Sequence, residues 1–370
     1  MEKLNLIKNL CPRRRAYYLP GDFIKARKSD AHIHYNTLND TVLKYAESIN
    51  MHLLTINVET AMPIEKQLDI AVSLGKEHPG TIDFVGTFDS SGFESDHFAE
   101  EAIEQVKKCM DAGARGIKIW KNIGMVLKNK DEKYVMADDP VFAPIFEYLE
   151  KEGITLLTHL AEPRNCWLPY EEITTEGDLR YYKHHPQYHM YQHPEVPSYE
   201  EQIIARDHLL EQYPDMKFVG AHIGSLEWNV DEVAERFDKY PQFYVDLSAR
   251  MSHLQLQAFQ DWKKIRDFFI KYQDRLIYGL DWTVSETSRS KLATIFRFFL
   301  PGIYRKIVCR ALHESWENHW LFLASDRAVK AERFNLPDIP KTIKGLHLPK
   351  KVVDKVFYEN AMKVYNITGL

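Results

Sequence analysis

Short runs of β-branched and apolar residues recur along this chain, each bounded by polar or turn-forming residues. They fall at 28–35 (KSDAHIHY), 52–59 (HLLTINVE), 81–89 (TIDFVGTFD), 114–122 (ARGIKIWKN), 154–162 (ITLLTHLAE), 217–225 (KFVGAHIGS), 243–250 (FYVDLSAR) and 275–282 (RLIYGLDW). Their length and composition predict eight strands. The stretches between them have helical periodicity. Over 97–112, Phe98, Ala102, Ile103, Val106 and Met110 recur at steps of about three and four residues, the spacing that gives a helix one apolar face. Similar patterns predict helices over 64–78, 141–152, 198–213, 229–239 and 255–273.

Eight strands alternating with helices imply a parallel sheet with right-handed crossovers, and eight units is the number that closes an α/β (β/α)8 TIM barrel. Two departures from the simple alternation stand out. The loop after strand 5, residues 163–197, is far longer than most connections in compact domains and is crowded with Tyr and His, which predicts a lid. An insertion follows strand 8, from 283 to about 349, with an aromatic run at Ile295, Phe296, Phe298 and Phe299 that suits either a core contact or a homo-oligomer surface. A last amphipathic helix over about 350–366 presents Val353, Val356, Phe357, Ala361, Val364 and Tyr365. Residues 1–27 form a basic, irregular N-terminal arm; residues 28–370 form one barrel domain, with no composition shift marking a second.

Composition narrows the function classes. The formal charge of -5 gives no electrostatic case for a nucleic-acid partner. No window approaches 18 uncharged apolar residues, so no membrane span is expected, and the N-terminus lacks a cleavable leader pattern. The four cysteines, Cys11, Cys109, Cys166 and Cys309, are widely spaced and suggest neither a disulfide framework nor a zinc knuckle. A soluble, cytoplasmic protein with a small-molecule substrate is the expectation.

The chemistry gathers at strand ends. His32 and His34 sit two apart on strand 1, so they share a face and can grip one metal ion. In a barrel, catalytic side chains stand at the C-terminal ends of strands. There the chain carries Lys118 and Lys121 on strand 4, His159 and Glu162 on strand 5, His222 on strand 6, Asp246 and Arg250 on strand 7, and Asp281 on strand 8. Four histidines and an aspartate at the ends of four separate strands are hard to explain as independent structural residues, and they point to a divalent metal. Regular alternation puts Lys118 and Lys121 on opposite faces, with Lys118 inward. Arg250, a planar fork, suits a substrate carboxylate or phosphate, or equally a salt bridge with Asp246. Glu162 and Trp282 adjoin ligand positions and could orient them. The four histidines of the 163–197 loop could form a further metal site, though ordinary lid residues explain them more simply.

With DAHIH at 30–34, GIKIWKN at 116–122, THLAEP at 158–163, GAHIGS at 220–225, VDLSAR at 245–250, YGLDW at 278–282 and YENA at 358–361, the chain resembles the amidohydrolase superfamily. It is more similar to the amidohydrolase-related (amidohydrolase 2) branch of metal-dependent TIM-barrel hydrolases and decarboxylases. The resemblance implies one or two divalent metal ions, most often Zn2+, held by His32, His34, His159 and Asp281, with Lys118 as a further, carboxylated ligand if two ions are present. It makes His222 catalytic beside Asp281, or else a ligand of a second metal. A metal-activated water attacking a C-N, C-O or lactone-type bond of a small acidic substrate is the activity it implies first. Nonoxidative decarboxylation of the aminocarboxymuconate-semialdehyde type is the alternative, and a non-catalytic metal-binding barrel is a third reading.

Overall fold

The protein is seen here as a computed structural model that describes residues 15–60, 62–285 and 301–368. The aromatic run at 295–299 lies outside the described residues. Nine parallel strands form the central sheet: β1 (Lys28–Asn36), β2 (Met51–Ile56), β3 (Ile82–Thr87), β4 (Ile117–Ile119), β5 (Leu156–Thr158), β6 (Phe218–Gly220), β7 (Phe243–Asp246), β8 (Leu276–Ile277) and β9 (Trp282–Ser285). Their order is β8-β7-β6-β5-β4-β3-β2-β1-β9, and β8 and β9 are two halves of one eighth strand. β8 pairs with β7 and β9 pairs with β1, while Ala31 N donates to Tyr278 O at 3.0 Å and Asp281 N donates to His32 O at 2.7 Å across the break. The ring therefore closes, and the fold is the (β/α)8 barrel that the alternation predicts.

Strands β4 to β8 are shorter than the apolar runs suggest. The residues beyond them leave the ladder early, because the chain turns there to deliver side chains to the barrel mouth. The interior is packed by inward positions two apart, Leu54 and Ile56 on β2, then Val85, Leu157, Val219 and Ile277 on other strands, which form one cluster with Ala361, Val364 and Tyr365 of the C-terminal helix. A barrel interior of this width is filled by side chains, so it is a core and no pore. The C-terminal helix runs through Lys350–Asp354, a π turn at Lys355–Glu359 and Asn360–Val364, burying the predicted stripe. It is tied to the eighth strand: Asn360 Nδ2 donates to Leu276 O at 2.7 Å and to Gln273 O at 2.8 Å, and Tyr278 N donates to Val356 O at 2.8 Å.

Helix Phe98–Asp111 buries Phe98, Ala102, Val106 and Cys109, matching its periodicity. Helix Tyr199–Gln212 starts at a reciprocal cap, Ser198 with Glu201, as the S-x-x-E spacing allows. The helix expected over 255–273 is two helices, Met251–Gln260 and Trp262–Lys271; Asp261 breaks them apart because its carboxylate caps the second, accepting from Lys264 N. Among the described residues no helix is long and apolar enough to cross a membrane.

The insertion carries helix Pro301–Ala324 and an antiparallel pair, β10 (Ala328–Lys330) with β11 (Thr342–Lys344). The helix is pinned to the barrel by Trp316, whose Nε1 donates to Asp30 Oδ2 at 2.8 Å. Asp30 is wholly buried; its other oxygen accepts from Leu280 N at 2.9 Å and His32 N at 3.2 Å, which joins β1 to the eighth strand. Trp316→Phe leaves that buried oxygen without its donor. Since an unsatisfied buried polar group costs roughly 1–3 kcal/mol, the variant should lose roughly that much unfolding free energy, read from an equilibrium denaturant melt.

Candidate metal centre

Six residues other than glycine adopt left-handed backbone conformations just past the strands: Ala161 after β5, His222, Ile223 and Ser225 after β6, Ala249 after β7 and Asp281 after β8, with φ between 55° and 65°. Each costs roughly 1–2 kcal/mol, and such strain persists only where surrounding structure enforces it. It is concentrated at one end of the barrel, where it swings His222 and Asp281 toward the axis.

His32 and His34 converge with Asp281. Asp281 Oδ1 lies 3.3 Å from His34 Nε2 and 3.8 Å from His32 Nε2. Both rings are oriented from behind. His34 Nδ1 lies 2.9 Å from Ile56 O, and His32 Nδ1 lies 2.7 Å from Asp246 Oδ2. A neutral ring that donates from Nδ1 presents a bare lone pair at Nε2. Two such lone pairs and a carboxylate oxygen repel one another at these distances unless a cation lies between them. Ligand atoms about 2.1 Å from a tetrahedral ion stand about 3.4 Å apart, close to the separations seen. His32, His34 and Asp281 thus fit a divalent ion. His32, His222 and Asp246 also cluster, but Asp246 is committed to supporting the ligands. Besides His32, it accepts from His222 N at 2.9 Å and from the Ser248 hydroxyl.

His222 is buried beside these groups, its ring centroid 5.0 Å from His32 and 4.3 Å from His159. Its Nδ1 lies 3.1 Å from Ser248 O, so Nε2 is the free nitrogen. Burial above all pushes both His222 and His159 well below the ordinary histidine range, keeping them neutral. His159 stands next to His222, outside the His32–His34–Asp281 group; its Nε2 is buried with no hydrogen-bond partner and faces Glu162 Oε2 at 3.7 Å. An orphaned ring nitrogen at this position is the kind of atom a metal or a substrate satisfies.

Lys118 points inward as expected, its Nζ 3.5 Å from His32 Nε2, and burial lowers its pKa to about 8. The expectation that Lys121 faces away is corrected. β4 ends at Ile119, so alternation does not extend to Lys121, whose ammonium bonds Glu162 at the same mouth. Glu162 is thereby the partner of Lys121 beside His159, while Trp282 begins β9.

Arg250 is buried, 8% exposed, and does not pair with Asp246, which is taken by His32. Its Nη1 donates to Ala249 O at 3.2 Å and its Nε has no partner. Around it, Asp178, Glu227 and Glu162 hold its pKa above the usual value against the opposing effect of burial. Asp178 and Glu227 escaped the sequence reading; Asp178 lies within the lid and Glu227 follows GAHIGS, and nothing in their spacing marks them.

The 163–197 segment is ordered. It holds helix Glu176–His184 and three single turns around its own small core of Cys166, Ile173, Tyr182 and Met190. Its histidines serve this packing: His189 bonds Leu168 O through Nε2 at 2.8 Å and stacks on Tyr170, and His193 bonds Pro186 O at 3.0 Å. Among the described residues they do not gather into a metal cluster, which removes the further site considered for them.

A closed parallel barrel with His and Asp converging at its strand ends defines a class of metal-dependent barrel enzymes. The comparisons agree. A family model described as Amidohydrolase matches residues 93–367, about three quarters of the chain, and the chain belongs to that family of metal-dependent enzymes acting on small molecules. No curated protein matches it. Among solved structures, 2,6-dihydroxybenzoate decarboxylase from Rhizobium is similar at 14% identity, with TM-score 0.51 over 93% of this chain and 100% of that one. An uncharacterised TIM-barrel protein from Bordetella bronchiseptica is similar at 13% identity, with TM-score 0.46 over 92% of this chain and 98% of that one. The 4-oxalomesaconate hydratase from Rhodopseudomonas palustris shares 10% identity, with TM-score 0.44 over 92% of this chain and 95% of that one. At these identities the likeness is one of fold.

Asp246→Asn should turn the His32 ring or change its tautomer while leaving the barrel intact. Replacing such a supporting carboxylate typically costs about 10–100-fold in metal affinity. Competition with a chelator would measure the loss, and unchanged affinity would show that Asp246 does not orient His32.

Proposed function

We propose that this chain is a metal-dependent hydrolase that adds water across a C-N, C-O or lactone-type bond of a small acidic substrate. The observation that carries the reading is the convergence of His32 Nε2, His34 Nε2 and Asp281 Oδ1, at 3.3 and 3.8 Å, beside the neutral His222. His32, His34 and Asp281 would hold the ion, with His159 completing the set and Lys118 adjoining it. Nitrogen and carboxylate donors in a compact site suit Zn2+. Such an ion supplies Lewis acidity and lowers the pKa of water from about 15.7 toward about 7.

The remaining steps belong to the protein's own groups. Asp281, its Oδ1 3.3 Å from His34 Nε2, takes a proton from the attacking water. His222 begins as an acceptor at Nε2 because Nδ1 is committed to Ser248 O; it receives the water's proton from Asp281 and delivers it to the leaving group. Arg250 binds the substrate's acidic group. The acidic class is supported by Arg250, whose Nε has no partner, and by the inward Lys118, which makes no ion pair with a carboxylate among the described residues.

The same cations favour a second reading, decarboxylation, in which a carboxylate bound among them is desolvated and His222 or Asp281 delivers the replacing proton. The two reactions leave different isotopic marks. Turnover in 18O-water puts one label into a hydrolysis product, whereas decarboxylation in D2O puts deuterium on carbon and releases CO2.

His32→Ala and Asp281→Ala should each lose bound metal and activity while keeping the barrel's far-ultraviolet dichroism. Elemental analysis showing wild-type metal in both would end the proposed ligand set. For His222→Ala the expectation is retained metal with turnover reduced by roughly 10²–10⁴-fold, the usual contribution of a general acid–base.

A further inference from the structure

The loops after β2, β3 and β4 meet in a small polar network at the barrel mouth. Glu59, Ser90 and Asn122 each stand three residues past the end of their strand. Glu59 accepts from Ser90 N at 2.8 Å and from the Ser90 hydroxyl at 2.8 and 3.0 Å. Asn122 Nδ2 donates to Glu59 Oε2 at 3.0 Å and to Ser90 Oγ at 2.8 Å. Asn122 also follows Lys121, whose ammonium bonds Glu162, and Glu162 Oε2 lies 3.7 Å from His159 Nε2. The network therefore adjoins the metal centre through Lys121 and Glu162.

The network fixes which way the Asn122 amide faces. An ionised Glu59 can only accept, and the Ser90 hydroxyl, having given its hydrogen to Glu59, presents a lone pair; both call for the NH2 end of the amide. Oδ1 is left over. Asn122 is 8% exposed, and among the described residues its Oδ1 is buried without a donor. The backbone of this loop does not depend on the side chain. Val126 N and Leu127 N both donate to Asn122 O at 2.9 Å, Gly124 N donates to Val135 O at 2.7 Å, and Gln202 Nε2 donates to Gly124 O at 2.6 Å. A clasp between the three loops would be complete with Nδ2 alone, whereas a buried carbonyl oxygen is destabilising until a donor reaches it.

We propose that Asn122 is a substrate-binding residue whose Oδ1 accepts a hydrogen bond from an N–H or O–H of the substrate, which is then a small acid that also carries an amino or hydroxyl group. This rests on the reading of an acidic substrate anchored at Arg250. Glu59 and Ser90 hold the amide by its donor end, so that the acceptor end is presented in one orientation. Arg250 and Asn122 select opposite chemistry, a carboxylate by a donor and a donor by an acceptor. A site built to pair a substrate's N–H or O–H rejects the analogue that lacks it, because the buried acceptor then stays unpaired.

The test uses the full-length, metal-loaded protein and two pairs of probes matched in size, 3- and 4-aminobenzoate against 3- and 4-methylbenzoate, with calorimetry giving each Kd. The aniline nitrogen is neutral at neutral pH and donates N–H; the methyl group cannot. In the wild type at least one aminobenzoate should bind about 10-fold more tightly than its methyl partner. Asn122→Ala should erase that ratio while leaving the methylbenzoates within about 2-fold of wild type. A merely structural clasp predicts that both classes weaken together in this variant, and that result would overturn the inference. Equal binding of the two classes by the wild type would overturn it without any variant, since Oδ1 would then hold a bound water only. After either of those results, loss of methylbenzoate binding in Arg250→Lys leaves the acidic reading standing. If none of the probes binds the wild type, the acidic reading itself fails and the inference falls with it.

Discussion

Closure of the barrel at the broken eighth strand is the constraint on which the rest depends. Between β8 and β9 the chain must bond to β7, then to β1, and place Asp281 at the mouth within four residues. Gly279 makes this possible: a Cβ there would stand 2.8 Å from His32 Cβ and 3.1 Å from Ser248 Cβ. The close approach brings the backbone of the eighth strand against the first ligand. Asp281 then takes a left-handed conformation, φ 65°, with its N donating to His32 O. Asp30 locks the same junction from behind through Leu280 N, His32 N and Trp316. Strain at the ligand is held by satisfied buried hydrogen bonds next to it.

Electrostatic order follows from burial. A neutral His32 is favoured because charge is costly at full burial, and neutrality with Nδ1 committed to Asp246 is what leaves its Nε2 lone pair available, while Ile56 O orients the His34 ring from behind in the same way. The ammonium groups are handled differently according to their partners. Lys121 is stabilised in its charged form by Glu162, whereas Lys118, without a carboxylate in contact among the described residues, is pushed down to about 8. Two lysines three residues apart thus have opposite tendencies within one mouth.

The lid and the insertion form one support. Stacked Tyr170, His189 and Tyr182 give the lid a core of its own, and the 331–335 segment closes it by backbone hydrogen bonds. The lid's histidines, most simply read from the sequence as ordinary lid residues, are spent on carbonyls and stacking. The lid also reaches helix Met251–Gln260, where Asp178 Oδ2 lies 3.3 Å from His253 Nε2.

The barrel was legible because period-two and period-3.6 patterning repeat eight times, and local physics enforces those periods whatever the partner strands are. His32 and His34 were legible for the same reason, as two side chains on one strand face. Tertiary structure alone decided the roles of residues that meet across the ring. Asp246 is 214 positions from the His32 it orients, and Asp178 meets His253 through a lid whose path no periodicity encodes. Lys121 was misplaced by alternation because β4 stops at Ile119. Where a strand ends depends on competition between ladder hydrogen bonds and the turns that feed the mouth, which is a property of the closed barrel and not of any single segment.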